Sequence, residues 1–136
     1  ANYKNIEFKK NFTSKIIKKL KSFNTKNVII ADFGIGLFTK EIIQNLEKIK
    51  KNYFLNVQAN SLNFGSNLFT KYKKYNYLSL DLKEWQIGLQ LQNPNIKQIE
   101  KKIIKIRGSK SITLGQNGSI YLSEKKNIIV PFLIQR

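Results

Sequence analysis

The chain has 136 residues, of which 41% are hydrophobic and 12% aromatic, a composition typical of a globular protein with one core. It contains neither cysteine nor histidine, which excludes disulfides, thiolate and imidazole metal sites, and histidine-based triads. The formal net charge is +17, and no apolar run approaches the roughly 20 residues that cross a bilayer, so we expect a cytoplasmic protein.

The first half of the sequence predicts alternating helices and strands. Apolar residues at helical spacing predict an amphipathic helix over residues 3–23, and an apolar run predicts a buried strand over residues 27–32. A second helix is expected over residues 39–51, with Thr39 as its cap. A second strand over residues 53–57 follows, then a polar loop and a helical turn over residues 67–72.

The second half continues this alternation before the pattern changes. A third strand is predicted over residues 75–80, a helix over residues 82–91, and a further helical stretch that Asn93 caps and that runs to about Lys101. The apolar segment "KIIKI", residues 102–106, predicts a fourth strand.

After residue 108 the sequence indicates antiparallel pairing. Two apolar stretches flank Gln116, Asn117 and Gly118, and Asn-Gly is a strong hairpin signal. Residues 127–132 supply one more strand. The predicted fold class is α/β: a Rossmann-like parallel sheet flanked by helices, with a C-terminal antiparallel hairpin. We expect residues 1–136 to form one such domain, or part of one.

Polar residues follow each of the four strands predicted to be parallel. They are Asp32 after the first strand, Asn60 after the second, Asp81 and Glu84 after the third, and Arg107–Gly108 after the fourth. Carboxyl ends of parallel strands meet at one edge of a sheet, where ligands bind in open α/β folds. We therefore expect these residues to converge on one pocket.

Asp81 and Glu84 are the candidate metal ligands. They lie about one helical turn apart at the start of a predicted helix, so their carboxylates can face one crevice and hold a hydrated divalent cation. The alternative is a capping box, in which Asp81 is the N-cap and Glu84 its partner. The residues alone favour the capping box, and in the same way Asp32 can be a cap and Gly108 a turn glycine.

The positive charge raises a second class of function, a basic module that binds nucleic acid or an anionic surface. Lysines cluster within residues 9–26 and 71–74, and Tyr72 and Tyr75 are placed to stack on bases beside the second cluster. However, 23 of the 25 basic residues are lysine, and 20 isoleucines and 16 asparagines accompany them. All three have AT-rich codons, so a coding bias explains the charge, and we rank nucleic-acid binding second.

Four segments read together resemble a known family. They are "IIADFGIGLFT" (residues 29–39), "FLNVQANSLNFGSNLFTKY" (54–72), "YLSLDLKEWQIGL" (77–89) and "IIKIRGSKS" (103–111). Their order and spacing resemble the central part of ribokinase-like (PfkB) sugar kinases, in the branch related to heptose-phosphate kinases and often joined to a nucleotidyltransferase domain. The resemblance implies ATP and Mg²⁺ as cofactors, a sugar or sugar-phosphate substrate, and the rest of a kinase or a nucleotidyltransferase domain as partner.

The resemblance also implies roles for individual residues. The family's Asn-x-x-Glu element, tied to magnesium and phosphate, is similar to the segment from Asp81 to Glu84, and its aspartate-aromatic-glycine element to Asp32, Phe33 and Gly34. Its Val-Thr-x-Gly element, which lines the nucleotide pocket, is similar to residues 105–108, with Ile106 in place of threonine and Ser111 in place of a later glycine. Cofactor contacts are thus expected from Asp32, Gly34, Asn60, Arg107 and Gly108.

No catalytic residue is assigned. Family members carry a Gly-Ala-Gly-Asp segment, which supplies an anion hole and the catalytic aspartate, after the strand that matches residues 127–132. The sequence has no such segment before Arg136. Because phosphoryl transfer needs both groups, we expect the chain alone to be inactive, as a fragment, a split subunit or a degenerate relative.

Overall fold

The computed structural model describes residues 12–59, 65–123 and 127–131. Predictions for residues 3–11 and for Asn60 lie outside them. The elements in chain order are α1 (Phe12–Ser22), β1 (Asn27–Asp32), α2 (Lys40–Glu47), β2 (Asn52–Val57), a 3-10 turn (Phe69–Lys71), β3 (Tyr77–Asp81), α3 (Leu82–Gly88), α4 (Ile96–Ile103), β4 (Ser109–Thr113), a second 3-10 turn (Gly115–Asn117), β5 (Ser119–Leu122) and β6 (Asn127–Val130).

The six strands form one mixed sheet in the order β1-β2-β3-β4-β5-β6. The pairs β1–β2, β2–β3 and β3–β4 are parallel, whereas β4–β5 and β5–β6 are antiparallel. The predicted α/β class, with parallel strands followed by an antiparallel C-terminal hairpin, is confirmed.

The helices cover one face of the sheet. Each connection between parallel strands advances one position in the same direction, so crossovers of one hand keep α2, α3 and α4 on the same side. Alternate side chains of β1, β2, β3 and β5 point to this side and are buried with one stripe from each helix. The core contains Ile17, Ile30, Ile42, Ile43, Leu46, Tyr53, Leu55, Val57, Phe69, Tyr72, Leu78, Leu80, Trp85, Ile99, Ile103, Ile112, Ile120 and Leu122.

The opposite face of the sheet carries a row of aromatic rings. Phe54 and Tyr77 are neighbours with ring centroids 6.3 Å apart, and Tyr77 stacks on Tyr121 at the same centroid distance. On the edge strand β1, Ile29 is 82% exposed. Within the described residues this face therefore lacks the helical layer that covers the other face.

The fourth parallel strand is Ser109–Thr113, so the strand predicted over residues 102–106 is wrong. Residues 96–103 form α4, in which Ile99 and Ile103 lie one turn apart and are fully buried. Ile104, which the strand prediction required, is 48% exposed. The apolar run "KIIKI" is thus the end of an amphipathic helix followed by a turn.

The fourth strand, Ser109–Thr113, was difficult to predict from the sequence because it contains polar side chains. Lys110 and Ser111 are buried in the middle of the sheet although their side chains are polar. The Ser111 hydroxyl donates to Oγ of Ser79 at 2.9 Å and accepts from the Tyr77 hydroxyl at 2.8 Å. Because these hydrogen bonds satisfy the buried hydroxyls, a strand of polar composition is stable between β3 and β5.

Several element boundaries match the sequence analysis closely. β1 spans the predicted residues, Thr39 caps α2 by accepting from the Ile42 amide, and the turn expected over residues 67–72 is the 3-10 turn. The cap of α4 is Asn95, not Asn93. No helix in the described part of the chain combines the length and the apolarity that a membrane span needs.

Candidate functional site

The candidate site lies at the carboxyl ends of the parallel strands. β1 ends there with Asp32, β3 with Asp81 and β4 with Thr113, and Asp81 and Thr113 are register partners. Glu84 lies in the first turn of α3, directly after β3. The structure therefore brings Asp32, Asp81 and Glu84 to one edge, as the sequence predicts.

Asp32 is buried in a network of donors. Its side chain is 2% exposed, and Oδ2 lies 2.5 Å from Nζ of Lys71 and accepts from the Tyr72 hydroxyl at 2.8 Å. Oδ1 accepts from the Gly34 amide at 2.9 Å. Gly34 has a φ of +70°, a conformation that glycine adopts without strain, and it allows the chain to turn sharply out of β1. Asp32 thus stabilises the turn between β1 and α2.

The first two strand ends are joined through Asn67. Its side-chain amide donates to the carbonyl of Asp32 at 3.2 Å and to the carbonyl of Gln58 at 3.0 Å, and its Oδ1 accepts from Lys71 at 2.6 Å. The Gln58 amide also donates to the Asp32 carbonyl at 2.8 Å. The sequence assigns neither Asn67 nor Lys71 to this site, because only the tertiary structure brings them beside Asp32.

Asp81 and Glu84 form the capping box that the residues alone favoured. Oδ1 of Asp81 accepts from the Glu84 amide at 2.6 Å, and Oε2 of Glu84 accepts from the Asp81 amide at 2.8 Å. The second carboxylate oxygen, Oε1 of Glu84, accepts from the amide of Ala59 at 2.9 Å. Glu84 therefore also joins the end of β2 to the end of β3.

The local environment raises the pKa of Glu84 above its ordinary value. Desolvation by burial is the largest cause, and the nearby charge of Asp81 acts in the same direction. The hydrogen bonds from the amides of Asp81 and Ala59 favour the ionised form and lower the pKa, but burial outweighs them. Glu84 is thus an acid that binds protons more readily in the folded chain than a free glutamate does.

The pair offers oxygen ligands of the kind that Mg²⁺ prefers. Each carboxylate oxygen can accept from more than one donor, so the backbone hydrogen bonds leave lone pairs on both side chains. The described residues include no group of three or more acidic residues suited to a metal ion. Asp81 and Glu84 therefore fit a cation that keeps most of its water.

The segment over residues 112–118, which contains the end of β4 and the turn into β5, lies beside this pair. The segment Ile112-Thr113-Leu114-Gly115-Gln116-Asn117-Gly118 has a threonine and two glycines at the spacing of the Val-Thr-x-Gly element described above. Thr113 ends β4, and the 3-10 turn Gly115–Asn117 leads into β5. The similarity assigned to residues 105–108 depends on a strand over residues 102–106, which the structure does not contain.

The expectation that Arg107 and Gly108 join the acids is wrong. They precede β4, whose first residue, Ser109, pairs with Tyr77 at the start of β3. Asp81 lies at the other end of β3, four residues on, which is about 13 Å along the strand. Arg107 and Gly108 therefore lie at the amino edge of the sheet, opposite the acids.

Tyr72 does not have the exposed position that base stacking requires. It is 5% exposed, its hydroxyl donates to Asp32, and its ring packs edge-on against Phe38. Burial and the adjacent Asp32 carboxylate raise the pKa of Tyr72 above its ordinary range. The residue belongs to the core of the candidate site.

The sequence matches no known family model, and no curated protein is a match. Solved structures do share its fold. Phosphofructokinase-2 from Escherichia coli, in a mutant form, aligns with a TM-score of 0.70 and 11% identity over 90% of this chain and 42% of that one. The same enzyme in complex with fructose-6-phosphate gives a TM-score of 0.69 and 10% identity over 91% and 43%.

A putative phosphofructokinase from Staphylococcus aureus has the same fold with a TM-score of 0.56 and 13% identity, over 86% of this chain and 40% of that one. At these identities the likeness is one of fold. The chain shares the fold of these phosphofructokinase structures and spans about two fifths of their length.

Proposed function

We propose that the chain is part of an ATP-dependent sugar or sugar-phosphate kinase and that the carboxyl edge of its sheet binds Mg²⁺·ATP. The observation that carries the proposal is the placement of the acid pair beside Thr113, the end of β4, and the turn that follows it. Asp81 and Thr113 are opposite each other in adjacent strands, so a cation held by the acids lies close to that turn.

In the proposed complex, Asp81 and Glu84 hold a hydrated magnesium ion, and the turn from Thr113 to Gly118 lies against the nucleotide. Gly115 is exposed, and a Cβ added there would meet nothing within 4 Å, so its backbone is accessible to a phosphate. Bound magnesium supplies neutralisation of phosphate charge. Asp32 has its carboxylate occupied by Lys71, Tyr72 and Gly34, so we assign it the positioning of the β1–α2 turn beside the phosphates.

Trp85 provides a probe for this edge. It is fully buried, follows Glu84 in α3, and donates from its indole nitrogen to the carbonyl of Ser111 in β4 at 2.9 Å. It is also the only tryptophan in the chain. Ligand binding between α3 and the end of β4 should therefore alter its fluorescence.

The test is calorimetric titration of the full chain with ATP, with and without Mg²⁺, together with Trp85 fluorescence. We expect magnesium to increase ATP affinity and Glu84→Gln to reduce that increase by about tenfold. The control is Asn95→Ala. It disrupts the Asn95–Gln98 capping box of α4, which has the same hydrogen-bond geometry as the box formed by Asp81 and Glu84. Equal effects of the two variants, or a Trp85 fluorescence response to ATP that is the same with and without Mg²⁺, would contradict the proposal.

The nature of the phosphoryl acceptor is tested separately. The Escherichia coli neighbour was crystallised with fructose-6-phosphate, and we propose an acceptor of the same class, a sugar or sugar phosphate, for the whole kinase. Isotope transfer from γ-labelled ATP to a panel of hexoses and hexose phosphates, measured on the chain and on any longer product of its gene, checks this. Labelled phosphate released only to water would contradict it.

A further inference from the structure

A second concave surface lies at the amino edge of the parallel sheet, opposite the proposed kinase site. It is a groove of about 840 Å³, within the size range of small-ligand pockets. Three connections form it: the α2–β2 loop, the loop before β3 and the α4–β4 loop, with the end of β5 at one side. We call it the amino-edge groove.

The amino-edge groove is strongly basic. Five of its lining side chains are cationic, namely Lys50, Lys51, Lys73, Lys74 and Arg107, and one is acidic, Glu47. The Glu47 carboxylate is engaged, because Oε1 accepts from the backbone amide of Lys73 at 2.8 Å. The groove therefore has an excess of four positive charges.

Two of the five cations are held by neutral groups that leave their charge uncompensated. Nζ of Lys51 donates to the carbonyls of Phe23 and Thr25, and Nζ of Lys74 donates to the carbonyl of Glu47 at 3.1 Å. The side chains of Lys50, Lys73 and Arg107 have no hydrogen-bond or ion-pair partner among the described residues. These three are available to an anion.

Helix electrostatics explains only some of these cations. Lys50 and Lys51 follow the end of α2, and Arg107 follows the end of α4, where positive charge is favourable. Lys73 and Lys74 instead follow a three-residue 3-10 turn, which has no comparable dipole. The helix dipole therefore does not account for Lys73 and Lys74.

The groove also has apolar walls and a closely packed base. Ile49, Ile106 and Tyr75 line it and are half-buried against the core. At its base, a Cβ added to Gly108 would lie 3.2 Å from the carbonyl oxygen of Asn76, so glycine permits the α4–β4 turn to approach the start of β3. A ligand with phosphates and a ring system matches this combination of charge and apolar surface.

We infer that the amino-edge groove binds a phosphorylated small molecule of nucleotide size, with its phosphates on Lys50, Lys73 and Arg107 and its ring against Ile106 and Tyr75. The volume of about 840 Å³ matches one small ligand, which favours a compact ligand over an extended nucleic-acid strand. The ligand site is distinct from the proposed magnesium site, because the two lie at opposite ends of β3 and β4.

The test is a titration of the ¹⁵N-labelled full chain with ADP in EDTA, followed by amide shifts. Gly108 reports on the groove, and Gly115 and Gly118 report on the proposed kinase site. We expect saturable shifts at Gly108 and a loss of affinity of about tenfold or more in the triple variant Lys50→Ala, Lys73→Ala, Arg107→Ala.

The matched control removes the same number of charges from the exposed surface of α4. It is Lys97→Ala, Lys101→Ala, Lys102→Ala, whose side chains are exposed and do not line the groove. We expect a change in ADP affinity below about twofold. Equal losses in both triple variants, absence of saturation, or shifts confined to Gly115 and Gly118 would overturn the inference.

A second titration, with oligothymidylates of increasing length, tests the alternative that the groove binds an extended nucleic-acid strand. Affinity that does not increase beyond the first few nucleotides supports a compact site. Affinity that rises steadily with length and falls steeply with salt would instead identify the surface as a nucleic-acid binding face and overturn the inference.

Discussion

The hydroxyl of Tyr72 donates to Oδ2 of Asp32 at 2.8 Å and so joins two residues that lie 40 positions apart in the sequence. Both side chains are nearly inaccessible to solvent. The bond ties the end of β1 to the segment that follows the first 3-10 turn. It also adds a third donor, beside Lys71 and Gly34, to a carboxylate whose burial must be offset by hydrogen bonds.

Loss of this donor should destabilise the fold. Tyr72→Phe removes a buried hydrogen bond to a charged group, and we expect a decrease of about 2 kcal/mol in the free energy of unfolding. Urea denaturation followed by circular dichroism measures it. The control is Tyr53→Phe, whose hydroxyl donates to the neutral carbonyl of Leu46 at 2.8 Å, with an expected decrease of about 1 kcal/mol. A smaller effect for Tyr72→Phe than for Tyr53→Phe would count against this account.

The ion pair between Lys71 and Asp32 should appear as an energetic coupling. Lys71 is 29% exposed on its side chain and Asp32 only 2%. In a double-mutant cycle of Lys71→Met and Asp32→Asn, we expect a coupling of about 1–2 kcal/mol by urea denaturation. The reference cycle pairs Lys71→Met with Asp81→Asn. A coupling in the first cycle no larger than in the reference cycle would refute the proposed interaction.

The raised pKa of Glu84 predicts a pH dependence of stability. Between the unfolded-state value of 4.5 and the higher folded-state pKa, the native chain binds more protons than the unfolded chain. The contribution of Glu84 to the free energy of unfolding therefore falls as the pH rises through this window. Glu84→Gln should remove that part of the slope, as measured by thermal unfolding across mildly acidic pH. Identical slopes for the two proteins would show that burial does not disfavour the ionised form.

Gly88 marks a close approach between α3 and the first 3-10 turn. A Cβ added there would lie 2.3 Å from a ring carbon of Phe69. In an exposed helix, Gly→Ala stabilises by up to about 1 kcal/mol, so the sign of the effect is informative. We expect Gly88→Ala to destabilise by about 1–3 kcal/mol, because the buried Phe69 ring must move.

A second pair of variants tests whether the Phe69 ring causes the destabilisation by Gly88→Ala. Phe69→Leu removes the contacted ring carbons, and Gly88→Ala should then be less destabilising than in the wild type. Chemical denaturation of the four proteins gives both values. A cost of Gly88→Ala that is unchanged by Phe69→Leu would place the steric conflict elsewhere.

Much of the architecture could be read from local signals. The apolar run ending in Asp32 predicted β1, the Thr39 hydroxyl predicted the start of α2, and the spacing of Asp81 and Glu84 predicted a capping box. In each case the interactions that define the feature lie within a few residues, or follow from the alternation that one buried sheet face imposes. The acids Asp32 and Asp81 could be predicted because they directly follow apolar runs that form β1 and β3.

The position of β4 could not be read in this way. Isoleucines at 103, 104 and 106 favour a strand by propensity, and Ser109–Thr113 lacks an apolar pattern. The choice between them depends on the burial of Ile99 and Ile103 on one helix face and on partners for Ser111 supplied by β3. Because such partners are distant in sequence, strand propensity alone predicted the wrong segment as β4. The same error placed Arg107 and Gly108 at the carboxyl edge of the sheet instead of the amino edge.

The sequence by itself determined the α/β class, the order of most elements and the acids that end β1 and β3, because hydrophobic periodicity and caps are local. Only the tertiary structure decided which segment forms β4, which donors surround Asp32 and which edge carries Arg107. Those outcomes depend on long-range strand pairing and on the hydrogen bonds that buried polar groups must find, and neither is encoded within a short window of residues.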